Sequence, residues 1–213
     1  SVSFRRVSRD IPGFPELHLP EVLGNIADQT DGLVLVSGMT GSGKSTTIAA
    51  MLERINRQRP CHIVTLEDPI EYLYTDRKAL VSQREIGLDV PDFDSALKYV
   101  MREDPDVILI GEMRDRETFQ AALQAAETGH LVFGTVHAST AAGTISRVLD
   151  LYPAESRSLA RQGLTFNLRA IVCQKLLPCL DEQIDRIPAV EILRMNPAAR
   201  QLIQEKRESE LVE

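Results

Sequence analysis

The residues best suited to chemistry stand together: Gly38, Gly43, Lys44 and Ser45 fall in the order Gly-x-x-x-x-Gly-Lys-Ser within GMTGSGKST, residues 38–46. Glycines in such a loop let successive backbone N–H groups turn inward, and a helix starting where the loop ends adds the positive end of its dipole. The loop is therefore built to hold phosphate oxygens. Thr40, Gly41, Ser42 and Thr46 complete the cradle. Lys44 would reach the β- and γ-phosphates of a nucleoside triphosphate, and the Ser45 hydroxyl would ligate Mg²⁺.

Acidic and imidazole groups recur at the ends of other apolar runs. DVILIGE (106–112) ends in Glu112, placed to hold a metal ion through water, with Arg114 close behind it. CHIVTL (61–66) runs into Glu67, Asp68 and Glu71, three acids so close that repulsion is expected to raise the pKa of one, leaving it fit to deprotonate water. His130 and His137 bracket HLVFGTVH. His137 falls at the C-terminal end of that run, where open α/β sheets bind ligands, and could contact the γ-phosphate. His130 begins the run on the opposite edge, and position leaves it open between a structural and a functional role.

These groups narrow the chemistry. No Asn-Lys-x-Asp guanine-reading motif is present, and the only long excursion is acidic where a phosphotransferase lid would carry arginine. Acidic loops and a histidine-ended strand fit an ATPase that activates water.

Elements that could position such a site are visible in the patterning. GLVLVSG (32–38) precedes the glycine loop as a buried strand, and Ile48, Met51, Leu52 and Ile55 follow it at helical spacing. Residues 61–66, 106–112 and 130–137 read as further buried strands, and KALVSQREIG as a short strand within the excursion. Phe93, Ala96, Leu97, Val100 and Met101 mark a helix that stops before Pro105, and Asp115 can cap another bearing Phe119, Ala122 and Leu123. Strands alternating with helices predict βαβ units and a mostly parallel sheet, an α/β fold. Beyond Leu149 the texture changes: YPAESRSLARQGLTFNLRAIV reads as helix, CQKLLPCL and RIPAVEIL as short strands, and the end as a charged helix.

Size and composition set bounds. A chain of 213 residues with 43% apolar side chains is long enough for one such domain and a small appendage. The net charge of -7 argues against a surface that neutralises nucleic-acid phosphates. No apolar run approaches the roughly 20 residues needed to span a bilayer, so direct membrane insertion is not expected and a cytoplasmic location is. Cys61, Cys173 and Cys179 form no Cys-x-x-Cys pair and read as free thiols.

In order and spacing, GMTGSGKSTT, VTLEDPIEY, QREIGLD, MREDPDVILIGEMRD and AAETGHLVFGTVHAST resemble the Walker A, Asp box, Walker B and His box of the hexameric secretion-superfamily ATPases, in particular the type IV pilus retraction ATPases. The resemblance implies a RecA-like P-loop core over residues 19–150. Residues 1–18 would be the end of an N-terminal domain and its linker, and 151–213 a mainly helical subregion with short strands. It implies that Glu71 is the general base, that Glu112 supports Mg²⁺, and that His130 and His137 form the His box. Arg5, Arg6, Arg9 and Arg114 are candidates for completing a site between subunits. The expected assembly is a homo-hexamer bound to ATP and Mg²⁺. It would work in the cytoplasm at the inner membrane, through a pilus platform protein rather than by insertion, and would drive pilus retraction and twitching motility. AARQLIQEK resembles a stretch linked with retraction, although Ala199 and Gln204 depart from the family pattern. Type II secretion and pilus-assembly ATPases of the same superfamily are the alternative, disfavoured by the missing Cys-x-x-Cys module. A nucleic-acid motor of RecA type and a silent partner subunit are the others.

Overall fold

A strand covered on both faces needs a largely unbroken apolar run, and residues 33–36, 63–66, 107–110 and 131–136 supply four. The computed structural model describes residues 7–181 and 184–211. Its elements in chain order are α1 (Val22–Ala27), β1 (Gly32–Ser37), α2 (Lys44–Gln58), β2 (His62–Glu67), β3 (Leu80–Glu85), α3 (Phe93–Val100), β4 (Val107–Ile110), α4 (Arg116–Glu127), β5 (Leu131–Val136), α5 (Ala141–Leu149), α6 (Arg157–Asn167), β6 (Leu168–Pro178), β7 (Arg186–Arg194) and α7 (Pro197–Gln204), with a 3-10 turn at Glu208–Glu210.

The seven strands make one sheet in the order β3-β2-β4-β5-β1-β6-β7. Every neighbouring pair is parallel except β6 with β7. This is the expected RecA-like α/β arrangement, a mostly parallel sheet with helices on both faces. The period of two along β1 divides the core. Leu33 and Leu35 join the cluster that holds Ala96 and Val100 of α3 and Phe119 of α4, while Val34 and Val36 join the one that holds Ile48, Met51 and Leu52 of α2. Burying a side chain as completely as Phe119 contributes about 1.5–3 kcal/mol.

Caps fix where the helices begin. Asp92 accepts from Ser95 N, Asp115 from Thr118 N, Thr140 from Gly143 N and Asn196 from Ala199 N.

One expectation fails in the C-terminal third. Residues 168–172 do not continue the preceding helix; they open β6, whose bonded partners include Leu33, Val34, Leu35 and Val36 of β1. Helical propensity loses here to tertiary pairing, because Leu168 and the run 170–173 are buried and the only unpaired edge of β1 lies beside them. The two short strands expected there are eleven and nine residues long, and the sheet continues across position 150. Arg5 and Arg6 fall outside the described residues. Ser8 forms an isolated bridge with Tyr72.

Candidate active site

The glycine loop leaves β1 at Ser37 and enters α2 at Lys44. Gly38 has φ 150° and Gly43 φ 86°, backbone that side chains rarely adopt. A Cβ on Gly38 would also lie 2.3 Å from the Gln174 carbonyl oxygen and 2.4 Å from Ser42 Oγ. Only glycine fits there. The Lys44 ammonium donates to the carbonyls of Gly38 at 2.9 Å and Met39 at 3.1 Å. Burial lowers its pKa, against the charges of Glu112 and Glu71, which raise it.

Those two carboxylates reach the loop from different strands. Glu71 lies four residues past β2, and its Oε1 accepts from Ser45 Oγ at 3.2 Å. The adjoining Tyr72 hydroxyl is 2.9 Å from Thr46 Oγ1. On the far side of this segment, Ser8 N donates to the Glu71 carbonyl at 3.3 Å and Leu73 N to the Ser8 carbonyl at 2.9 Å. The chain before α1 thus straps the segment that carries Glu71. Arg9, next to Ser8, is exposed.

Among the crowded acids, Glu67 has the raised pKa, and repulsion is not the main reason. Burial is the first cause, with the charge of Glu71 a smaller contribution; Thr65 Oγ1 at 2.7 Å and Gln83 Nε2 at 3.2 Å, both donating to Oε1, work in the other direction.

Adjacent parallel strands bring the next pair together. In register, Ile110 of β4 lies beside Gly134 of β5, so Glu112 and His137 emerge side by side where those strands end. His137 Nε2 is 3.0 Å from Glu112 Oε1, and Arg114 Nη2 donates to Glu112 Oε2 at 2.5 Å. The Arg114 hydrogen bond is the first cause holding the Glu112 carboxyl below the usual carboxylate range, and His137 adds to it. Thr135 Oγ1 donates to the Gly111 carbonyl at 2.5 Å and fixes the step from strand to acid.

Lys44, Ser45, Glu71, Glu112, Arg114 and His137 therefore line one cleft, with Thr40 and Gly41 at its rim. His130 is not among them. It stands at the N-terminal edge of the sheet with Nδ1 2.9 Å from the Ala125 carbonyl, a contact only an N–H can make, and within 3.1 Å of Thr128 Oγ1. In the folded chain it closes the C-terminus of α4. The six residues of β5 separate it from His137, and the two stand at opposite edges of the sheet, as their places along the strand implied.

The donor set fits Mg²⁺. Among the described residues no cluster of three or more His, Cys, Asp or Glu side chains could cage a metal. Mg²⁺ suits such a site, because it keeps water and phosphate oxygens and takes few protein ligands. Ser45 and Glu112 would supply those ligands. Gln83 and Tyr72 were not read as site residues from sequence; only their place beside the acidic segment could have pointed to them.

Residues 12–211 match the family model described as type II/IV secretion system protein. A twitching motility protein of Neisseria gonorrhoeae is 48% identical over 204 residues, covering 96% of this chain and 54% of that protein. The type IV pilus retraction ATPase PilT of Pseudomonas aeruginosa is 47% identical over 208 residues, covering 98% and 60%. A crystal structure of the pilus retraction motor PilT with bound ADP superposes with a TM-score of 0.93 at 47% identity, covering 98% of this chain and 60% of that one. The chain thus spans little more than half the length of these relatives.

Proposed function

The chain belongs to the type II/IV secretion system protein family, and from that membership and its cleft we propose that it binds ATP with Mg²⁺ and hydrolyses it to drive a type IV pilus retraction motor. One observation carries the reading: a carboxylate, Glu71, bonded to the Ser45 hydroxyl of a phosphate-binding loop in a cleft that also holds Lys44, Glu112 and His137.

The loop N–H groups and Lys44 hold the β- and γ-phosphates in line for attack. Glu71 accepts the proton of the attacking water. Glu112, kept ionised by Arg114 and His137, would hold the metal through water. Ser45 and Glu112 would hold Mg²⁺, which would supply positive charge to the phosphate oxygens. His137, held by Glu112, directs an imidazole toward the γ-phosphate position. Beside the first turn of α2 a second cleft, lined by Leu17, Leu176, Pro188, His18 and Arg186, offers apolar walls and polar tips for the base and sugar.

Charge developing on the γ-phosphate calls for a guanidinium from outside the loop. Arg114 is already paired with Glu112 of the same chain. Arg9, with Arg5 and Arg6 outside the described residues, remains the candidate donor to a neighbouring subunit. The working assembly is a homo-hexamer in the cytoplasm, coupled to the inner membrane through a pilus platform protein. No helix among the described residues is long and apolar enough to cross a membrane.

The test is ATP hydrolysis by the purified chain against its own concentration, with Glu71→Gln as control and mass in solution recorded alongside. A specific rate rising steeply with concentration, and absent in the variant, is expected. A rate independent of concentration while the chain is monomeric would refute the shared site.

A further inference from the structure

Gln174 of β6 is placed where the sheet and the phosphate loop meet. It lies one residue beyond Cys173, the β6 partner of Ser37, and so extends past the end of β1 along the back of the loop. Its side chain is buried, at 6% exposure, and both ends of its amide are used. Nε2 donates to the Ser42 carbonyl at 2.8 Å, and Oε1 accepts from Thr47 Oγ1 at 2.7 Å. One amide thus joins the loop before Gly43 to the helix after Lys44.

Two glycines are shaped around the same residue. A Cβ on Gly38 would meet the Gln174 main-chain oxygen at 2.3 Å, and one on Gly43 would meet Nε2 at 2.7 Å. The backbone approaches Gln174 from both ends of the loop, which is how a loop is held against a template. A carbonyl drawn toward Gln174 at Ser42 turns its peptide plane, and the N–H on the other side of that plane belongs to Gly43. That N–H is one of the group that must face phosphate.

We infer that Gln174 is a positioning residue for nucleotide binding: its amide sets the peptide planes between Ser42 and Thr47 so that the loop's N–H groups converge on the β-phosphate. The inference rests on the phosphate-loop reading above. Methionine has nearly the volume of glutamine and can fill the same buried space without either bond.

Binding of ADP with Mg²⁺ to the whole chain, by calorimetry, tests it for the wild type, Gln174→Met, Thr47→Val, the double variant and Lys44→Ala, with each unfolding midpoint measured in parallel. Gln174→Met should weaken ADP roughly 10- to 100-fold, the loss expected from two hydrogen bonds holding the site. Thr47→Val should weaken it less, and the double variant should be no weaker than Gln174→Met alone, since Thr47 acts through the same amide. Wild-type ADP affinity in Gln174→Met, whatever its midpoint, overturns the inference and leaves Gln174 a packing residue. Should Gln174→Met fail to fold, Thr47→Val decides, and wild-type affinity there overturns it equally. Lys44→Ala separates the two readings. If it too binds ADP normally, the phosphate loop itself has been misassigned; if it alone loses binding, only the role of Gln174 falls.

Discussion

Ser45 Oγ donates to Glu71 Oε1 over 3.2 Å, and that bond joins two parts of the sheet separated by β4 and β5. The hydroxyl is the group proposed to hold Mg²⁺ and the carboxylate the group proposed to take the proton. Their contact would keep the proton acceptor beside the residue that would hold the metal. Glu71→Gln should retain ADP and ATP binding and lower turnover by roughly 10²- to 10⁴-fold, the usual worth of a general base. Loss of binding with residual turnover would make Glu71 a metal or structural group instead.

Glu67 should behave in the opposite way. Burial raises its pKa in the folded chain above the unfolded value of about 4.3, so at neutral pH folding must bury a charge. That cost is present above the folded pKa and disappears as pH falls through it to the unfolded value. Glu67→Gln keeps an oxygen to accept from Thr65 and Gln83 and removes the charge. It should raise the melting temperature at about pH 8, with the gain fading near pH 4, while turnover is altered far less than in Glu71→Gln. A variant less stable than wild type at pH 8 would mean that the ionised form is the one the fold requires.

The contrast between these two acids shows what was legible in the sequence. The glycine loop, the strands before and after it and the acids at strand ends are local patterns, fixed by residue type and spacing. Which of three neighbouring carboxylates loses enough water to shift its pKa depends on what β3 and the excursion bring alongside, Gln83 and Tyr72 among them, and no local pattern states that. β6 failed for the same reason. Residues 168–172 carry a run that suits helix or strand, and only the open edge of β1 decides between them. The opposite placement of His130 and His137 was legible, because they bracket one strand; that His130 closes the end of α4 was not, because the Ala125 carbonyl it meets belongs to another element.

Gly38 offers a test of the loop alone. Its φ of 150° and the short approach to the Gln174 carbonyl leave no room for a methyl group, and the blocking atom is backbone. Gly38→Ala should therefore displace the loop and abolish measurable ADP binding by calorimetry, while far-ultraviolet circular dichroism stays that of the wild type because β1 and α2 have their own packing. Undiminished binding would show that the loop can move away from β6 at little cost.

Arg114 sets the charge on Glu112. Its hydrogen bond is the first cause of the lowered pKa, so the carboxylate is stabilised above the unfolded value and that stabilisation is lost as pH falls through the folded pKa. Arg114 is 69% exposed, which limits the stability effect to about 0–1 kcal/mol. Arg114→Ala should move the acid limb of the ATPase pH profile upward, by less than complete neutralisation would, because His137 still holds Glu112. An equal loss of turnover at every pH, with the acid limb unmoved, would instead mark Arg114 as a charge donor to a neighbouring subunit.

The two histidines can be separated by the same substitution. His130 bonds the Ala125 carbonyl at the end of α4, where an N–H and a partial positive charge stabilise the helix terminus. His130→Gln should lower stability by about 0.5–1.5 kcal/mol and leave turnover per folded assembly near that of the wild type. His137→Gln removes a partner of Glu112 inside the cleft and should lower turnover about tenfold or more, with little change in the melting temperature, since the ring is 41% exposed. If His130→Gln costs as much turnover as His137→Gln at equal folded fraction, the N-terminal edge of the sheet takes part in the reaction. The site would then include a surface of the sheet that one subunit alone cannot bring to the phosphate loop.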